Sequence, residues 1–308
     1  MPSSVSIGII GTGWVGMSVA ISTLHSGIAQ EVLVYDQREA VAEGEAMDLS
    51  HGSSFYPTAA VRSAPPEAMR STNAVVIAAG RGGRPDETRL DLLRDNASII
   101  RTLAQHFVGY AGVVVIVSNP VDVLTYVFQE ASGLPPERVI GTGTMLDTAR
   151  LRQVLGRELN VASRSVHAQV VGEHGDSEVV LWSSAMLGGT ALRNWPGWSA
   201  ETEQRVADEV RTAAYEIIQR KGATNHAIGL VTATLLKCVL RGERRILTVA
   251  RVQDGAMGLH NVALSLPSIV DAHGAEQVLV PDFADDERAA FAHSADVLRR
   301  AIASIDAG

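Results

Sequence analysis

The first residue that could take part in chemistry is a histidine that lies between glycines. His174 lies in the segment Gly-Glu-His-Gly-Asp-Ser, residues 172–177, which follows a predicted strand. A histidine in such a loop is either a general acid and base or an inert loop residue, and the segment alone does not decide between them. A metal site is less favoured, because no second histidine stands at ligand spacing nearby. We therefore expect no metal here.

A carboxylate and a guanidinium that could serve this histidine lie upstream, in the segment Leu-Asp-Thr-Ala-Arg. Asp147 and Arg150 stand at positions i and i+3 and share one face of a predicted helix. An aspartate facing a catalytic histidine fixes its tautomer and stabilises its imidazolium. An arginine beside it can hold a substrate carboxylate through two parallel hydrogen bonds. The alternative is an exposed intrahelical ion pair, which would contribute little to stability.

A third charged segment covers residues 80–89 and follows the predicted strand Ala74–Ala79. It is dense in glycine and in charged side chains. This composition is typical of a mobile lid that closes over a bound ligand. The alternative is an ordinary solvated loop.

A glycine-rich turn near the N-terminus predicts a dinucleotide site. In the GxGxxG motif, Gly11 permits the tight turn, Gly13 admits a pyrophosphate and Gly16 lets helix and strand pack closely. Asp36 ends the next strand about 20 residues later, the spacing of a carboxylate that holds the ribose hydroxyls. Because this acid repels a 2′-phosphate, NAD is favoured over NADP, unless Asp36 is only a turn residue. The predicted cofactor-binding residues of this segment are Gly11, Gly13, Val15, Gly16 and Asp36.

Alternating strands and helices in the first half predict the scaffold for these residues. The strands are expected at Val5–Ile10, Glu31–Tyr35, Ala74–Ala79, Val113–Val117 and Val139–Ile140, and the helices at Val15–Gly27 and Leu92–His106. Such alternation predicts an α/β fold with a Rossmann-type, doubly wound parallel sheet.

The second half has a different pattern and predicts a mixed α+β domain. Helices are expected at Leu146–Leu159, Ser199–Lys221 and Asp285–Ile305, strands at Ser165–Val171 and Arg245–Val252, and a surface loop at Gly188–Trp198. We expect a dinucleotide-binding domain over residues 1–143 and a substrate domain over 144–308. The boundary is a topological one rather than a flexible joint.

Length and composition restrict the classes of protein. With 308 residues, of which 46% are hydrophobic and 19% charged, the chain fits a globular enzyme. The net charge of −8 disfavours nucleic-acid and anionic-membrane partners, which usually require a basic excess. The single cysteine, Cys238, lies in an apolar run and fits a core position in a reducing cytoplasm. The apolar N-terminal stretch is short and interrupted by glycine, so no targeting or membrane segment is expected.

Taken together, four motifs resemble the L-lactate/malate dehydrogenase family in their order and spacing. They are the GxGxxG motif with Asp36, Ser-Asn-Pro-Val-Asp at 118–122, Leu-Asp-Thr-Ala-Arg at 146–150 and Gly-Glu-His-Gly-Asp-Ser at 172–177. The likeness runs from about residue 5 to the last helix. It implies an NAD-dependent oxidoreductase that moves a hydride between nicotinamide and a small 2-hydroxy acid.

The resemblance also implies a role for each candidate residue. His174 accepts the proton of the substrate hydroxyl, and donates it in the reverse direction, with Asp147 as its partner. Arg150 binds the substrate carboxylate, and Arg89 arrives with the closing lid and polarises the reacting C–O bond.

Three further residues are implied near the reacting groups. Asn119 would lie between cofactor and substrate, Thr224 near the side chain of the substrate, and Ile228 against the nicotinamide. Asn119 and Ile228 are thereby also cofactor-binding residues.

Details of the motifs resemble lactate more than malate dehydrogenases, and imply interconversion of pyruvate and L-lactate. The position that sets specificity maps to Gly83, where lactate enzymes usually carry glutamine and malate enzymes arginine. A shift of the glycine-rich segment could bring Arg81 or Arg84 inward, so malate or a broader range of 2-hydroxy acids stays open. A non-catalytic NAD-binding protein is a further alternative, against which the retained His174 and its charged partners argue.

Two residues predict regulation. Bacterial lactate dehydrogenases activated by fructose 1,6-bisphosphate carry an arginine and a histidine at positions matching Arg152 and His167, which meet across a subunit interface in that family. This resemblance implies a homo-oligomer, a tetramer, that binds the bisphosphate through charge-assisted hydrogen bonds. The alternative is that Arg152 is an exposed helix residue and His167 an ordinary strand residue.

Overall fold

The computed structural model of the protein describes residues 5–57, 59–83 and 87–306. These residues form fourteen strands and eight α-helices. The strands are β1 (Ser6–Ile10), β2 (Glu31–Tyr35), β3 (Ala60–Ser63), β4 (Ala74–Ile77), β5 (Val113–Ile116), β6 (Val139–Gly141), β7 (Val166–His167), β8 (Val170–Val171), β9 (Val179–Val180), β10 (Met186–Leu187), β11 (Thr190–Ala191), β12 (Arg245–Asp254), β13 (His260–Asp271) and β14 (Gly274–Val278). The helices are α1 (Trp14–Ser26), α2 (Glu39–His51), α3 (Arg89–Gln105), α4 (Val121–Ser132), α5 (Met145–Glu158), α6 (Ala200–Lys221), α7 (His226–Arg241) and α8 (Asp285–Asp306).

Nine strands form one sheet in the order β14-β13-β12-β6-β5-β4-β1-β2-β3. The six strands from β6 to β3 are parallel, and β12, β13 and β14 add to the β6 edge in antiparallel fashion. The predicted Rossmann-type sheet is confirmed. The chain reverses its direction of winding between β1 and β4, so the carboxyl ends of these strands flank the crevice in which such sheets bind ligands.

The parallel strands are buried on both faces. In β5, Val114 and Ile116 pack into the hydrophobic cluster that also holds side chains of α3, α4 and α8, whereas Val113 and Val115 pack with α1 and α7. Alternate residues of a strand point to opposite faces, so a continuous β-branched run supplies both layers. This is the physical reason why these strands could be recognised from their composition.

The sheet does not end at the predicted domain boundary. Residue 143 falls between β6 and α5, but β12 returns to pair with β6 through Ala250 and Gly141. The predicted substrate domain therefore shares the sheet of the predicted dinucleotide domain. Helices α5 and α6 form a third hydrophobic cluster with the short strands β7 to β10.

Two local predictions in the second half were wrong. The segment Ser165–Val171 is not one strand, since β7 pairs with β10 and β8 with β9 in separate small sheets. The segment Gly188–Trp198 is not simply a surface loop. It contains β11 and buries Leu192, and the ring of Trp198 lies 5.8 Å from that of Trp182. A two-residue strand or a half-buried tryptophan leaves no periodic signal in a sequence rich in glycine and proline.

Helices long and apolar enough to cross a membrane are absent from the residues described above.

The turn between β1 and α1 depends on glycine at two positions. Gly11 adopts a φ of +101°, in the region that favours glycine. A Cβ on Gly16 would stand 1.8 Å from the carbonyl oxygen of Gly11, so the start of α1 could not approach the turn. Gly13, by contrast, has no neighbouring atom within 4 Å of its Cβ position.

We expect Gly16→Ala to lower the free energy of unfolding by ~1–3 kcal/mol, because helix and turn must separate to admit the methyl group. The matched variant Gly13→Ala should cost less than ~1 kcal/mol, the scale of a weaker helix cap. Chemical denaturation of both variants without ligand checks this. Equal stability of the two would show that the turn relaxes without cost.

Candidate active site

The candidate site lies along the carboxyl edge of the parallel sheet. The glycine-rich turn follows β1, Asp36 follows β2, the segment 78–83 follows β4 and Asn119 follows β5. Because the strands are parallel, these four connections meet at one edge. The loop of His174, between β8 and β9, joins them from the second half of the chain.

His174 and Asp147 form a direct pair within this site. Nδ1 of His174 donates to Oδ2 of Asp147 at 2.5 Å. The side chain of Asp147 is 3% exposed and that of His174 24% exposed. The pair therefore buries the carboxylate and leaves the other face of the imidazole accessible, as a residue that exchanges protons with a substrate requires.

The surroundings of the pair favour its charged form. Burial lowers the pKa of His174, but the charge and hydrogen bond of Asp147 outweigh it, and the pKa is raised from 6.5 to about 9. Burial likewise raises the pKa of Asp147, but the charges and hydrogen bonds of His174 and Arg150 prevail and hold it below its ordinary value. At neutral pH an imidazolium faces a carboxylate.

Arg150 holds the second oxygen of the same carboxylate. Its Nη1 donates to Oδ1 of Asp147 at 2.8 Å, and its side chain is only 13% exposed. The intrahelical pair exists, but it is not the exposed surface pair of the alternative interpretation. Arg150 also lines a cavity of about 440 Å³ together with Thr224. The predicted carboxylate-binding and side-chain residues thus border one cavity.

The backbone of the His174 loop is held by other elements. Gly172 exchanges backbone hydrogen bonds of 2.9 Å with Ser265 of β13. The amide of Glu173 donates to Oγ of Ser294, on α8, at 2.7 Å. The amide of His174 donates to Oδ2 of Asp122, on α4, at 2.7 Å. Three successive amides are therefore fixed by three different elements.

The glycine-rich turn and Asp36 fit a dinucleotide. Oδ2 of Asp36 accepts hydrogen bonds of 3.1 Å from the amide and the hydroxyl of Thr12, which ties the carboxylate to the turn. Burial raises the pKa of Asp36, but hydrogen bonds from the amides of Arg38 and Thr12 outweigh burial. The pKa therefore lies below its ordinary value, and the carboxylate is ionised. The open space at Gly13 leaves room for phosphates at the start of α1, where backbone N–H groups and the helix dipole favour anions.

Helices α1 and α7 bring two predicted cofactor contacts together. A Cβ on Gly229 would lie 2.6 Å from the carbonyl oxygen of Ser18, so only glycine permits this crossing. Val15 of α1 and Ile228 of α7 both pack on the same hydrophobic cluster. The side-chain Nδ2 of Asn225 donates to Oγ of Ser18 at 3.0 Å. This hydrogen bond fixes the start of α7 against α1.

Asn119 and Arg89 lie at the rim of the site. Asn119 is exposed after β5, precedes a cis peptide bond to Pro120, and accepts the amide hydrogen of Val121 at 3.2 Å. Arg89 is the exposed first residue of α3. Its charge acts on Tyr215, whose hydroxyl donates to Asp176 in the His174 loop at 2.8 Å. No hydrogen bond joins Arg89 to His174 in the described part of the chain.

Gly83, the predicted specificity position, supplies no cation of its own. Gly83 is exposed, and among the described residues a Cβ there would meet Leu92 alone, at 3.5 Å. The guanidinium of Arg81 is bound to the carboxylates of Glu87 and Asp95. Arg84, the other arginine considered for this role, lies outside the described residues.

The two predicted regulatory residues do not meet within the subunit. Nε of Arg152 donates to the carbonyl oxygen of Ala168 at 3.0 Å, whereas His167 is exposed on the outer side of β7. Arg152 instead lines a second cavity, of about 310 Å³, together with Arg164 and Arg245. Burial and the charge of Arg245 both lower the pKa of Arg152. Three guanidinium groups around one cavity favour an anionic occupant.

Sequence reasoning missed three residues of this arrangement. Asp122 was part of a recognised motif but had no role, Glu178 is a buried carboxyl group after the His174 loop, and Gly229 permits the crossing of α1 and α7. Burial raises the pKa of Glu178 to about 8. Of these three residues only Gly229 had a sequence signal, because a glycine within an apolar run indicates close packing.

Comparisons with known proteins extend over both halves of the chain. The family model described as lactate/malate dehydrogenase, NAD binding domain, matches residues 5–141, and that of the alpha/beta C-terminal domain matches 144–307. An L-lactate dehydrogenase of Salinibacter ruber is 43% identical, with 98% of each chain covered. One of Bacillus caldolyticus is 41% identical, over 96% of this chain and 95% of the relative. The crystal structure of a minor L-lactate dehydrogenase from Enterococcus mundtii, in its ligand-bound form, has a TM-score of 0.96 at 37% identity and covers 99% of both chains.

The charged pair makes a prediction for Asp147→Asn. Without the carboxylate of Asp147, burial and Arg150 lower the pKa of His174 and only the charge of Asp122 still raises it, so the pKa should fall from about 9. In the wild type, protonation of His174 stabilises the fold below pH 6.5, and that contribution is lost as the pH rises through about 9. The variant should lack this pH-dependent contribution. NMR titration of labelled histidine rings measures the pKa, with surface variant Glu158→Gln as control. An unchanged pKa would mean that Asp147 does not stabilise the imidazolium.

Proposed function

The chain belongs to the lactate/malate dehydrogenase family, and on this premise we propose that it is an NAD-dependent L-lactate dehydrogenase that interconverts pyruvate and L-lactate. The observation that carries this proposal is the hydrogen-bonded arrangement of His174 and Arg150 around the buried carboxylate of Asp147. It joins a proton carrier, through Asp147, to an arginine that borders a cavity of about 440 Å³. The alternative of a non-catalytic NAD-binding protein gives no reason for a buried charged triad.

His174 moves the proton of the reaction. In the reducing direction its imidazolium donates to the carbonyl oxygen of pyruvate, and in the oxidising direction the neutral ring accepts the hydroxyl proton of lactate. The raised pKa of His174, about 9, keeps the ring charged and ready to donate at neutral pH. Asp147 holds Nδ1, so Nε2 is the nitrogen that exchanges the proton.

Arg150 orients the substrate. One of its donors is engaged by Asp147, and the rest of its planar group borders the cavity that it shares with Thr224. A guanidinium can bind a carboxylate through two parallel hydrogen bonds, which fixes both position and plane. The substrate carbon next to the carboxylate is thereby presented to His174.

Residues 1–143 would hold the dinucleotide and residues 144–308 would supply acid–base chemistry. In its reduced form the bound dinucleotide would supply a hydride to pyruvate, and in its oxidised form it would receive one from lactate. Asp36 holds the ribose hydroxyls and disfavours a 2′-phosphate, Val15 and Ile228 form apolar contacts, and Asn119 lies between the two ligands. Arg89, carried by a segment that closes over the site, polarises the carbonyl and helps to exclude water.

The surroundings of Gly83 favour a small apolar substrate side chain. A malate dehydrogenase needs a cation to face the second carboxylate, because an unpaired buried carboxylate is costly. Gly83 offers none, and Arg81 is engaged by Glu87 and Asp95. Glycine also leaves space, which supports tolerance of larger apolar 2-oxo acids.

We expect NADH oxidation to be faster with pyruvate than with oxaloacetate, and 2-oxobutyrate to be reduced nearly as well as pyruvate. One methylene in such a pocket is worth only ~1–3 kcal/mol, so the preference among apolar acids should be shallow. Gly83→Arg should raise the ratio of kcat/KM for oxaloacetate to that for pyruvate, because it supplies the missing cation. The measurement is kcat/KM for the three acids with both proteins.

The control for this assay is His174→Asn, which should bind NADH but lose at least ~100-fold in kcat. A wild type that prefers oxaloacetate would contradict the lactate proposal and indicate that an arginine of the segment faces the substrate. Near wild-type kcat in His174→Asn would contradict the role of the histidine.

We further propose that the enzyme is a cytoplasmic homo-oligomer, a tetramer, acting at the end of glycolysis. Large apolar side chains are exposed on helices of one face of the sheet, namely Ile21 of α1, Met47 of α2 and Leu230 of α7, at 46%, 61% and 64% exposure. Such side chains are typical of surfaces covered by another subunit. The buried free Cys238 fits a reducing compartment.

The cavity of Arg152, Arg164 and Arg245 supports activation by fructose 1,6-bisphosphate. The exposed His167 would join it from a neighbouring subunit, as the resemblance implies. Adding the bisphosphate should lower the KM for pyruvate in the wild type and favour the tetramer in sedimentation. Arg152→Gln should abolish both effects while leaving kcat at saturating pyruvate intact. An unchanged KM and sedimentation of the wild type would rule this regulation out.

A further inference from the structure

We infer that Asp122 is a positioning residue of the reaction: its carboxylate holds the backbone of His174 in place while Asp147 holds the ring. The inference rests on the proposed function and deepens it, since it adds a residue that touches neither substrate nor cofactor. Asp122 is 2% exposed, and its Oδ2 accepts the backbone hydrogen of His174 at 2.7 Å. The two residues are 52 positions apart, so only the tertiary structure joins them.

The hydrogen bond between the amide of His174 and Asp122 restrains the backbone of the histidine, which Asp147 does not contact. Asp147 fixes the ring through Nδ1, but a ring can keep that bond while its Cα shifts. The bond from Asp122 to the amide removes this freedom. Gly172 and Gly175 flank the loop, and Gly172 has a φ of +85°, so the backbone here needs external restraint. With both ends held, Nε2 has one position relative to a substrate bound by Arg150.

Asp122 also connects the histidine to the cofactor side of the site. It lies in the first turn of α4, directly after Asn119 and the cis bond to Pro120. The N-terminus of a helix stabilises a nearby carboxylate. One short segment therefore presents Asn119 at the rim and anchors His174 behind it.

The second oxygen of Asp122 indicates that more than a structural hydrogen bond is involved. Oδ1 is buried and has no hydrogen-bond partner among the residues that the structure describes. A carboxylate left half-satisfied in a buried position is costly, and a neutral acceptor would serve a purely structural bond equally well. The carboxylate form of Asp122, which prevails above its pKa of about 7, is stabilised by the charge of the His174 imidazolium.

The charged groups around the pair define its electrostatics. Burial raises the pKa of Asp122 to about 7, with the carboxylates of Glu173 and Asp147 acting in the same direction and the amide and charge of His174 opposing them. Facing His174 are Asp147 and Asp122, which raise its pKa, and Arg150, which lowers it. The negative charge of Asp122 and the proton of His174 thus favour each other.

Two substitutions separate the hydrogen bond from the charge. Asp122→Asn keeps an oxygen that can accept the amide hydrogen but removes the charge, whereas Asp122→Ala removes both. We expect Asp122→Ala to lower kcat for pyruvate reduction about 10- to 100-fold with unchanged affinity for NADH, because the proton donor is misplaced. Asp122→Asn should recover most of kcat.

The pH profile then tests the charge. Pyruvate reduction needs the imidazolium, so activity is present below the pKa of His174 and is lost as the pH rises through it. In Asp122→Asn the alkaline limb of kcat/KM should move to lower pH, by about one unit, since a nearby negative charge is gone. NMR titration of the labelled His174 ring should show the same shift without any turnover.

The matched control is Asp271, a buried carboxylate remote from the site that also accepts a backbone hydrogen, from His273 at 2.8 Å. Asp271→Ala should lose stability but keep kcat and the pH profile. If Asp122→Ala keeps wild-type kcat, or if Asn and Ala lose kcat equally with no shift of the limb or of the ring pKa, the inference is wrong. A wild type without activity on any 2-oxo acid would contradict the proposed function alone, because the ring titration in Asp122→Asn still decides the role of Asp122.

Discussion

The burial of one carboxylate, that of Asp147, is the constraint on which the site depends. A charge removed from water is tolerated only when it is paired and hydrogen-bonded. Asp147 receives one cation from its own helix, Arg150, and a second from His174 on a distant loop. The loop must therefore be brought to the helix and held there, which fixes the position of the His174 ring. The same pairing keeps the histidine protonated and the arginine at the cavity wall.

The sheet supplies the other half of the arrangement. Parallel strands place their carboxyl ends at one edge of the sheet. The order of the strands alone therefore brings the glycine-rich turn, Asp36 and Asn119 to the same edge. Strands β12 and β13 extend this sheet, and β13 holds the His174 loop through Ser265. The acid–base residues are therefore fixed to the same sheet as the dinucleotide turn. Gly229 lets α7 cross close to α1, the helix that follows the glycine-rich turn.

Charge pairing also explains what the family likeness leaves undecided. The segment 80–89 of this chain, which holds the predicted specificity position, contains three arginines. Arg81 is already neutralised by Glu87 and Asp95, and Arg89 begins α3. An arginine that has two carboxylate partners is held away from a third by the loss of those bonds. Substrate preference thus depends on which partners each guanidinium finds in the fold, and not on the number of arginines.

The sequence by itself determined five of the six parallel strands, the glycine-rich turn, the pairing of Asp147 with Arg150 and the choice of His174 as the acid–base candidate. These features are local: β-branched runs, glycine spacing and helical periodicity are written in neighbouring residues. The strand expected at Ser165–Val171 was wrong because its two halves join different sheets, and sheet membership is not a local property. The roles of Asp122, Glu178 and Gly229 needed the tertiary structure for the same reason. Each acts on a partner far along the chain, and only packing decides which buried charge or backbone a side chain meets.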